Sequence, residues 1–310
     1  MSASLRVGLI GAGVFGGYHA NKIVDSSDVS FSGVHDPDPA RASTLATKHN
    51  CPVWAEANAL FENSDAVIIA TPANSHSQLV GGALQSECHV LVEKPLALTA
   101  FAASALVDMA TKADLTLQVG HQERMVCQAL GLFDIDETPI SLVATREGLP
   151  PQNGRNLDVS VVWDLMIHDL DLSHCLTGPG REVFSGDGIV GTSGSLDSCE
   201  ANLLMNGCRA QLRASRTAKR QKRHLTLEYS SGEIFVDFVD RTVKNTTAYA
   251  LNSDFEDQVP DPLAAADFAF FDACLGRRPC LIPGSQAAWA VATAERIEQL
   301  AMQELGVALG

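Results

Sequence analysis

The sequence lacks the long apolar run that a membrane-spanning helix needs, which is roughly 18 consecutive residues. Its apolar N-terminal stretch is broken by Gly11, Gly13, Gly16 and Gly17, and the small-residue cleavage pattern of a secretory signal peptide does not follow. We therefore expect no membrane partner and a cytoplasmic location.

Paired cysteines and positive charge are also scarce. The eight cysteines are scattered, without a CxxC pair, so we expect reduced thiols rather than the disulfide framework of a small secreted domain. Lys and Arg total 22 against 37 Asp and Glu, which gives a formal net charge of −15 at pH 7. That charge disfavours nucleic acid as a partner, and an anionic ligand would need a local basic site.

What the first third does contain is an alternation of short β-branched runs with longer helical stretches. Runs such as AVIIA at 66–70 are apolar on both faces, as in strands that helices cover on either side. This repetition predicts an α/β fold, an N-terminal Rossmann-type doubly wound parallel sheet over residues 1–122. The expected strands are 5–10, 29–35, 66–70, 90–93 and 115–120.

The pattern changes after residue 122. One helix is expected over 163–176, and alternating runs follow, two of which flank Ser230-Ser231-Gly232 like the arms of a hairpin. Two helical stretches, 262–275 and 285–305, close the chain. We predict a second domain over 123–310, an α+β domain on a mainly antiparallel open sheet, whose free face would suit a homodimer or homotetramer.

A glycine-rich loop stands at the first strand-to-helix junction. Residues 11–16, GAGVFG, match GxGxxG directly after the first strand. In that setting the first glycine permits the turn, the second lets backbone approach a pyrophosphate, and the third lets helix and strand pack. A plain tight turn is the alternative. The predicted cofactor contacts are Gly11, Gly13, Val14, Phe15 and Gly16.

Asp36 lies 20 residues after Gly16, at the end of the second strand. A carboxylate there accepts hydrogen bonds from both ribose hydroxyls of NAD and repels the 2′-phosphate of NADP. We therefore predict NAD as the cofactor, although Arg41 nearby leaves dual use open. The alternative is a turn or helix-cap aspartate before Pro37, a role that Asp38 could also take.

Two further segments end strands of the predicted sheet, where ligands of open α/β sheets bind. Thr71, Pro72, Asn74 and His76 follow the third strand and would border the nicotinamide half of the cofactor, though His76 could equally bond to backbone. Glu93-Lys94-Pro95 follows the fourth strand. A lysine on this rim can stabilise developing alkoxide charge, and a solvated lysine is the alternative.

Asp164 and His168 are spaced i, i+4 on the predicted helix of the second half, so they should share one face. Oxidation of an alcohol needs a base for the hydroxyl proton, which histidine can supply, and a nearby carboxylate can orient its ring. A pair that only stabilises the helix is the alternative. Zinc is disfavoured because the motif has no cysteine or second histidine at ligand spacing, so we expect no metal.

Taken together, the glycine loop, TPANSH at 71–76, EKP at 93–95 and DLMIHD at 164–169 resemble the glucose-fructose oxidoreductase / inositol dehydrogenase family (Gfo/Idh/MocA). The resemblance covers nearly the whole chain. It implies an NAD-dependent dehydrogenase of sugar hydroxyls, in which Lys94 is the catalytic lysine, His168 the proton acceptor and Asp164 its substrate-binding partner.

Within that family, three segments resemble the branch of UDP-N-acetylglucosamine 3-dehydrogenases: GHQERM at 120–125, the valine-rich run at 158–163, and residues 212–238. Six basic residues of the last segment could attract a diphosphate, or could be a solvated strand edge. They are Arg213, Arg216, Lys219, Arg220, Lys222 and Arg223. We single out Arg124 and Arg216 as candidate substrate contacts.

Three functions remain open at this stage. The first is oxidation of a secondary hydroxyl of a nucleotide sugar, with C3 of UDP-N-acetylglucosamine favoured. The second is the same chemistry on a free sugar or a cyclic polyol such as inositol. The third is an NAD(P)-binding regulatory protein without turnover, because a fold alone does not give a function.

Overall fold

The fold was established from a computed structural model, which describes residues 4–150, 159–191, 193–252 and 254–306. Residue 158, the first of the valine-rich run, lies outside these ranges. The chain divides into two compact units. Unit 1 consists of residues up to 122 together with 261–288, and unit 2 of residues 123–260 together with those from 289 onward.

Unit 1 is built on a parallel sheet with the strand order β2-β1-β3-β4-β5. The strands are β1 (Leu5–Ile10), β2 (Val29–His35), β3 (Ala66–Ile69), β4 (His89–Val92) and β5 (Leu117–Val119). The intervening helices are α1 (Val14–Asp25), α2 (Pro39–His49), α3 (Ala57–Glu62), α4 (His76–Gln85) and α5 (Ala100–Lys112). Every residue of β3 is buried, as expected for a strand covered on both faces. The predicted Rossmann-type fold is confirmed.

Unit 2 contains a sheet of seven strands in its described residues, in the order β12-β11-β10-β6-β9-β8-β7. They are β6 (Ser141–Glu147), β7 (Glu182–Val190), β8 (Leu196–Met205), β9 (Cys208–Ser215), β10 (Lys222–Tyr229), β11 (Gly232–Asp237) and β12 (Thr242–Asn245). β6 and β9 run parallel, and the other neighbours are antiparallel. The predicted mainly antiparallel sheet is therefore confirmed, and β10 and β11 form the expected hairpin across Ser230-Ser231.

Two helices of unit 2 carry the residues of interest. They are α6 (Glu123–Leu130) and α7 (Ile167–Thr177), and α7 is preceded by a π-helical turn, Val162–Met166. The remaining helices of the chain are α8 (Phe255–Gln258), α9 (Pro262–Cys274) and α10 (Gly284–Glu304). In the described part of the chain, none of the helices has the length and apolar character that crossing a membrane requires.

The structure differs from the predicted domain limits at α9, which belongs to unit 1 rather than to the second domain. Phe270 and Phe271 of α9 are buried in the core that β1 and β2 form. The side-chain amide of Gln118 also donates a hydrogen bond to the carbonyl of Ala266, at 2.8 Å. An apolar helix can pack against any sheet that has an uncovered apolar face. The periodicity of a helix does not say which sheet that is, so the position of α9 could not be predicted from its sequence.

Candidate functional site

The glycine loop of unit 1 has two glycines that the fold itself requires. Gly11 adopts φ +98°, and a Cβ there would lie 2.4 Å from the carbonyl oxygen of Ala70. A Cβ on Gly16 would lie 1.9 Å from the carbonyl oxygen of Gly11. Both separations are impossible for a real side chain, so these glycines allow the tight turn and the close packing of α1 on the sheet.

Gly13 is different because nothing inside the protein demands a glycine there. Its φ of −77° is open to any residue, and a Cβ would meet no atom within 4 Å. Gly13 is the N-cap residue that directly precedes α1. No side chain caps this helix and no acidic residue occupies its first turn, while Val14 and Phe15 are exposed. Open space in front of uncapped helix amides is what a pyrophosphate needs, so the loop fits the dinucleotide.

Asp36 is held against this loop. Its Oδ2 accepts a hydrogen bond from the backbone N–H of Ala12 at 2.7 Å, and its Oδ1 accepts one from that of Asp38 at 2.8 Å. The helix cap is Asp38, whose carboxylate accepts from Ala40 and Arg41 at the start of α2. The capping role considered for Asp36 therefore belongs to Asp38, and Asp36 presents a fixed carboxylate beside the glycine loop.

Residues after β3 and β4 lie at the same edge of the sheet, because the carboxyl ends of parallel strands meet there. Pro72 and Asn74 are exposed, and Thr71 is half-buried with its Oγ1 2.7 Å from Ser75 Oγ. Lys94 is half-buried directly after β4 and is joined to Pro95 by a cis peptide bond. The rim thus carries the residues that we predicted to border the nicotinamide.

His76 departs from its predicted role as a cofactor contact. Its ring is buried, with Nδ1 2.7 Å from the carbonyl oxygen of Pro95 and Nε2 2.9 Å from that of Thr71. Burial lowers the pKa of this histidine. Because both ring nitrogens face backbone, His76 braces the segments that follow β3 and β4, which corrects the prediction that it contacts the cofactor.

In unit 2, His168 lies in a buried network of charges. Its Nδ1 is 2.9 Å from Glu123 Oε2 on α6. Arg146 of β6 bridges the network, at 2.9 Å from Glu123 Oε1 and 2.8 Å from Asp169 Oδ1. At most a tenth of each of these side chains is exposed. The arrangement fixes the orientation of the His168 ring through a carboxylate that is itself anchored.

Two members of this network, Glu123 and Arg146, have shifted pKa values. Burial alone would raise the pKa of Glu123, but the nearby His168 and Arg146 outweigh it and hold that pKa well below its usual range. Arg146 behaves in the same way, because the carboxylates of Asp169 and Glu123 outweigh burial and raise its pKa. Glu123 is therefore an ionised carboxylate against the imidazole of His168, an arrangement that can stabilise a positive charge on the ring.

Glu123 is thus a carboxylate partner of His168 that we had not predicted. Asp164, which we expected to share a helix face with His168, lies in the π-helical turn Val162–Met166. Asp164 is half-buried. Glu123 lies in GHQERM, a segment that we had noted for its family resemblance and for Arg124 without giving Glu123 a role; the glutamate of that pattern was the available signal.

Arg124 and Arg216 also differ from expectation, since both are buried rather than open to a substrate. The guanidinium of Arg124 donates to Asp171, with Nε 2.6 Å from Oδ2. That of Arg216 lies 3.1 Å from Asp197 and donates to the carbonyl oxygen of Leu196. These arginines hold the interior of unit 2 together, which corrects their prediction as substrate contacts.

The basic cluster is largely neutralised by its neighbours. Arg213 and Lys222 pair with Glu200 and Glu147, at 2.6 and 2.7 Å. Arg223 is the member beside the His168 network: it lies 3.7 Å from Glu123, and 37% of its side chain is exposed. Burial and the neighbouring Arg146 lower the pKa of Arg223. Within the described ranges, no group of three or more His, Cys, Asp or Glu side chains is placed to hold a metal ion.

Comparison with known proteins identifies the family. The model of the oxidoreductase family with an NAD-binding Rossmann fold matches residues 5–121. UDP-N-acetylglucosamine 3-dehydrogenase of Acidithiobacillus ferrooxidans is 35% identical over 242 residues, which are 77% of this chain and 76% of that protein. The chain belongs to the Gfo/Idh/MocA oxidoreductase family. It is therefore an NAD-binding oxidoreductase, as the sequence resemblance implied.

Solved structures and other relatives agree. A structure of the same Acidithiobacillus ferrooxidans enzyme superposes with a TM-score of 0.86 at 30% identity, covering 98% of this chain and 99% of that one. Myo-inositol 2-dehydrogenase of Thermotoga maritima is 26% identical over 256 residues, 77% of each chain. The family thus contains relatives whose names give nucleotide-sugar and polyol substrates, and the choice between them depends on this chain's own residues.

Proposed function

We propose that this protein is an NAD-dependent dehydrogenase that oxidises a secondary hydroxyl of a nucleotide sugar, C3 of UDP-N-acetylglucosamine. The observation that carries the proposal is the anchored pair of His168 and Glu123 in a chain that is 35% identical to a UDP-N-acetylglucosamine 3-dehydrogenase. Proton removal from a hydroxyl is the step that such a pair can perform.

In the proposed reaction, His168 accepts the hydroxyl proton of the sugar while Glu123 stabilises the charge that the ring acquires. Bound NAD supplies the hydride acceptor. Lys94 stabilises the negative charge that develops on the hydroxyl oxygen, and Asp164 binds the sugar. The products are a ketone, reduced cofactor and one proton, which His168 releases.

The proposed cofactor contacts are those of the rim of unit 1. Gly11, Gly13 and Gly16, with Val14 and Phe15, would hold the pyrophosphate at the start of α1, and Asp36 would accept hydrogen bonds from the ribose hydroxyls. Thr71, Pro72, Asn74 and Glu93 border the nicotinamide half. The fixed Asp36 carboxylate supports NAD over NADP, because it would repel a 2′-phosphate.

Arg223 replaces Arg124 and Arg216 as our candidate for the diphosphate of the substrate. It is the half-exposed member of the basic cluster beside Glu123, and arginine forms strong bidentate hydrogen bonds to phosphate. We expect R223Q to raise KM for UDP-N-acetylglucosamine about tenfold, an effect of about 1.4 kcal/mol. R213Q is the control, since Arg213 is already paired with Glu200; equal effects of the two variants would contradict this assignment.

A polyol dehydrogenase is the second candidate, supported by the relatives that are named inositol dehydrogenases. A panel of UDP-sugars, the matching free sugars, myo-inositol and scyllo-inositol, followed by NADH absorbance, separates the two. Selective turnover of UDP-N-acetylglucosamine is the expected result. Turnover of polyols alone would overturn the nucleotide-sugar proposal, and an absence of any turnover would favour the regulatory alternative.

We also propose that the protein works in the cytoplasm as a homo-oligomer. All eight cysteines, each within the described ranges, are reduced thiols, which supports a reducing compartment. In the strand β9, which lies inside the sheet, every second residue from Arg209 to Arg213 is exposed. The sheet face that carries these residues is therefore open and suited to pairing with a second copy of the chain. A monomer mass in light scattering at micromolar concentration would contradict the oligomer.

A further inference from the structure

Unit 1 buries a second histidine between carboxylates, outside the network of His168. His19 of α1 is fully buried, with its Nδ1 2.8 Å from Asp267 Oδ2 and its Nε2 3.2 Å from Glu93 Oε1. Asp267 is fully buried as well, whereas 12% of the Glu93 side chain is exposed. The ring therefore connects an interior carboxylate to one that reaches the rim of the sheet.

Two ionised carboxylates around His19 favour a protonated ring, and burial, opposed by His19, raises the pKa of Asp267 above its ordinary value. An ionised carboxylate only accepts hydrogen bonds, and a neutral imidazole can donate from one nitrogen alone, so contact with a carboxylate at both nitrogens needs the imidazolium. Burial alone would lower the pKa of His19, but Asp267 and Glu93 outweigh it and raise that pKa to about 10. A further charged pair in unit 1 joins Lys22 of α1 to Asp261, which directly precedes α9.

The Glu93 carboxylate is confined from another side as well. A Cβ on Gly120, just after β5, would lie 2.6 Å from Glu93 Oε1, so the absence of a side chain there makes room for this carboxylate. The backbone N–H of Glu93 donates to the carbonyl oxygen of Ile69 at 2.9 Å. Both the main chain and the side chain of Glu93 are thus fixed at the end of β4.

The position of this cluster in the fold links three parts of unit 1. His19 is on α1, whose first turn includes the end of the glycine loop. Glu93 directly precedes Lys94. Asp267 is on α9, which belongs to unit 1 although it follows residue 260 in the chain. His76 braces the carbonyl of Pro95 on the other side of Lys94. Lys94 is therefore flanked by two residues that buried histidines hold.

We propose that His19 is a positioning residue: Asp267 holds the ring, and the ring holds the Glu93 carboxylate, so that the Glu93-Lys94 strand end keeps one orientation. We call the contacts of the His19 ring with Asp267 and Glu93 the clamp. The effect of the clamp on turnover rests on the proposed dehydrogenase function, whereas the clamp itself can be tested without a substrate. The proposal also gives α9 a role beyond packing, since α9 contributes Asp267.

The clamp is tested first on the protein without substrate. In protein labelled with 15N-histidine, the signals of His19 are identified as those missing from H19Q. We expect both ring nitrogens of His19 to be protonated at pH 8, where ordinary histidines are neutral. A neutral His19 ring at pH 8 would overturn the clamp. D267N, which keeps the shape of the contact while removing its charge, should lower the pH at which His19 loses its proton.

Its role is tested by a double-mutant cycle of H19Q and E93Q, with NADH binding followed by fluorescence and turnover by kcat. If His19 acts through Glu93, H19Q should lower kcat about tenfold or more, and the double variant should be no slower than E93Q alone. If the kcat of the double variant fell by the product of the two single-variant losses, the proposal would be overturned. A wild-type kcat in H19Q would overturn it as well.

The control is H89Q. His89 begins β4, at the opposite end of the strand from Glu93, and accepts a hydrogen bond from the N–H of Thr116 at 2.9 Å. H89Q should keep wild-type kcat even where it lowers the thermal midpoint; an equal loss of kcat in H89Q and H19Q would reduce His19 to a general structural role. If the wild type turns over no sugar at all, the proposed function fails, while the ring protonation still decides the clamp.

Discussion

The two units each bury a histidine against carboxylates, and the rings are held in different ways. His19 in unit 1 meets a carboxylate at each ring nitrogen, whereas His168 in unit 2 meets Glu123 at Nδ1. A ring clamped at both nitrogens keeps its proton and serves as a fixed positive charge. A ring that an ionised carboxylate contacts at Nδ1 suits the role of proton acceptor that we propose for His168.

The largest expected effect concerns His168, the proposed proton acceptor. H168Q should lower kcat by about 100- to 10,000-fold, because general-base catalysis contributes on that order, while the dissociation constant for NADH stays within a factor of about two. Stopped-flow absorbance and NADH fluorescence measure the two quantities. Retention of more than a tenth of wild-type kcat would remove His168 from the proposed chemistry.

The second prediction concerns His19, which should affect the pH dependence of the free energy of unfolding. The pKa of His19 is raised from about 6.5 to about 10 in the folded protein. Its stabilising contribution is therefore complete below about pH 6.5 and is lost as the pH rises through about 10, a change on the order of a few kcal/mol. Urea unfolding of wild type and H19Q across this range measures it.

The quantity to follow is the difference in unfolding free energy between wild type and H19Q, because the other titrating groups are common to both proteins. We expect this difference to shrink as the pH rises from 6.5 to 10. A difference that stays constant across the range would mean that His19 is not charged in the folded state.

The third prediction concerns Glu123, the carboxylate that contacts His168. E123Q should lower kcat about 10- to 100-fold, since a misdirected base costs about that much. Arg146 keeps its contact with Asp169, so the fold should survive. E200Q is the matched control, because Glu200 pairs with the exposed Arg213. Equal kcat in E123Q and wild type would show that Glu123 does not orient the ring.

The smallest effect separates a ligand contact from a packing contact within the glycine loop. G13A should weaken NADH binding about tenfold with an unchanged thermal midpoint, because the new Cβ meets no protein atom but enters the open space before α1. G16A should lower the midpoint, since its Cβ would overlap the Gly11 carbonyl. Tight NADH binding by G13A would contradict the placement of the pyrophosphate.

The contrast between the units also explains what could be predicted from the sequence. In unit 1 the residues that determine the fold lie close together in the sequence: a strand, the glycine spacing after it, and Asp36 twenty residues later. The fold and the glycine loop could therefore be predicted from the sequence. Each predicted strand of the parallel sheet was found within two residues at either end. Asp38 rather than Asp36 caps α2, a choice that only the hydrogen bonds could decide.

In unit 2 the determinants are distant in sequence, and there prediction was weaker. His168 was found through its motif, but its partner Glu123 lies 45 residues earlier and reaches it through the packing of α6, α7 and β6. The π-helical turn that contains Asp164 was also not predicted, because helical periodicity alone does not distinguish it from an α-helix. Arg124 and Arg216 were indistinguishable from substrate arginines until their burial was known.

The central claim, hydride transfer from C3 of a nucleotide sugar, is tested most directly with UDP-N-acetylglucosamine that carries deuterium at C3. The account predicts that the deuterium passes to the cofactor, so that mass spectrometry finds reduced cofactor one mass unit heavier. Reduced cofactor without the label would place the oxidation at another carbon, and the absence of reduced cofactor with this substrate would contradict the claim.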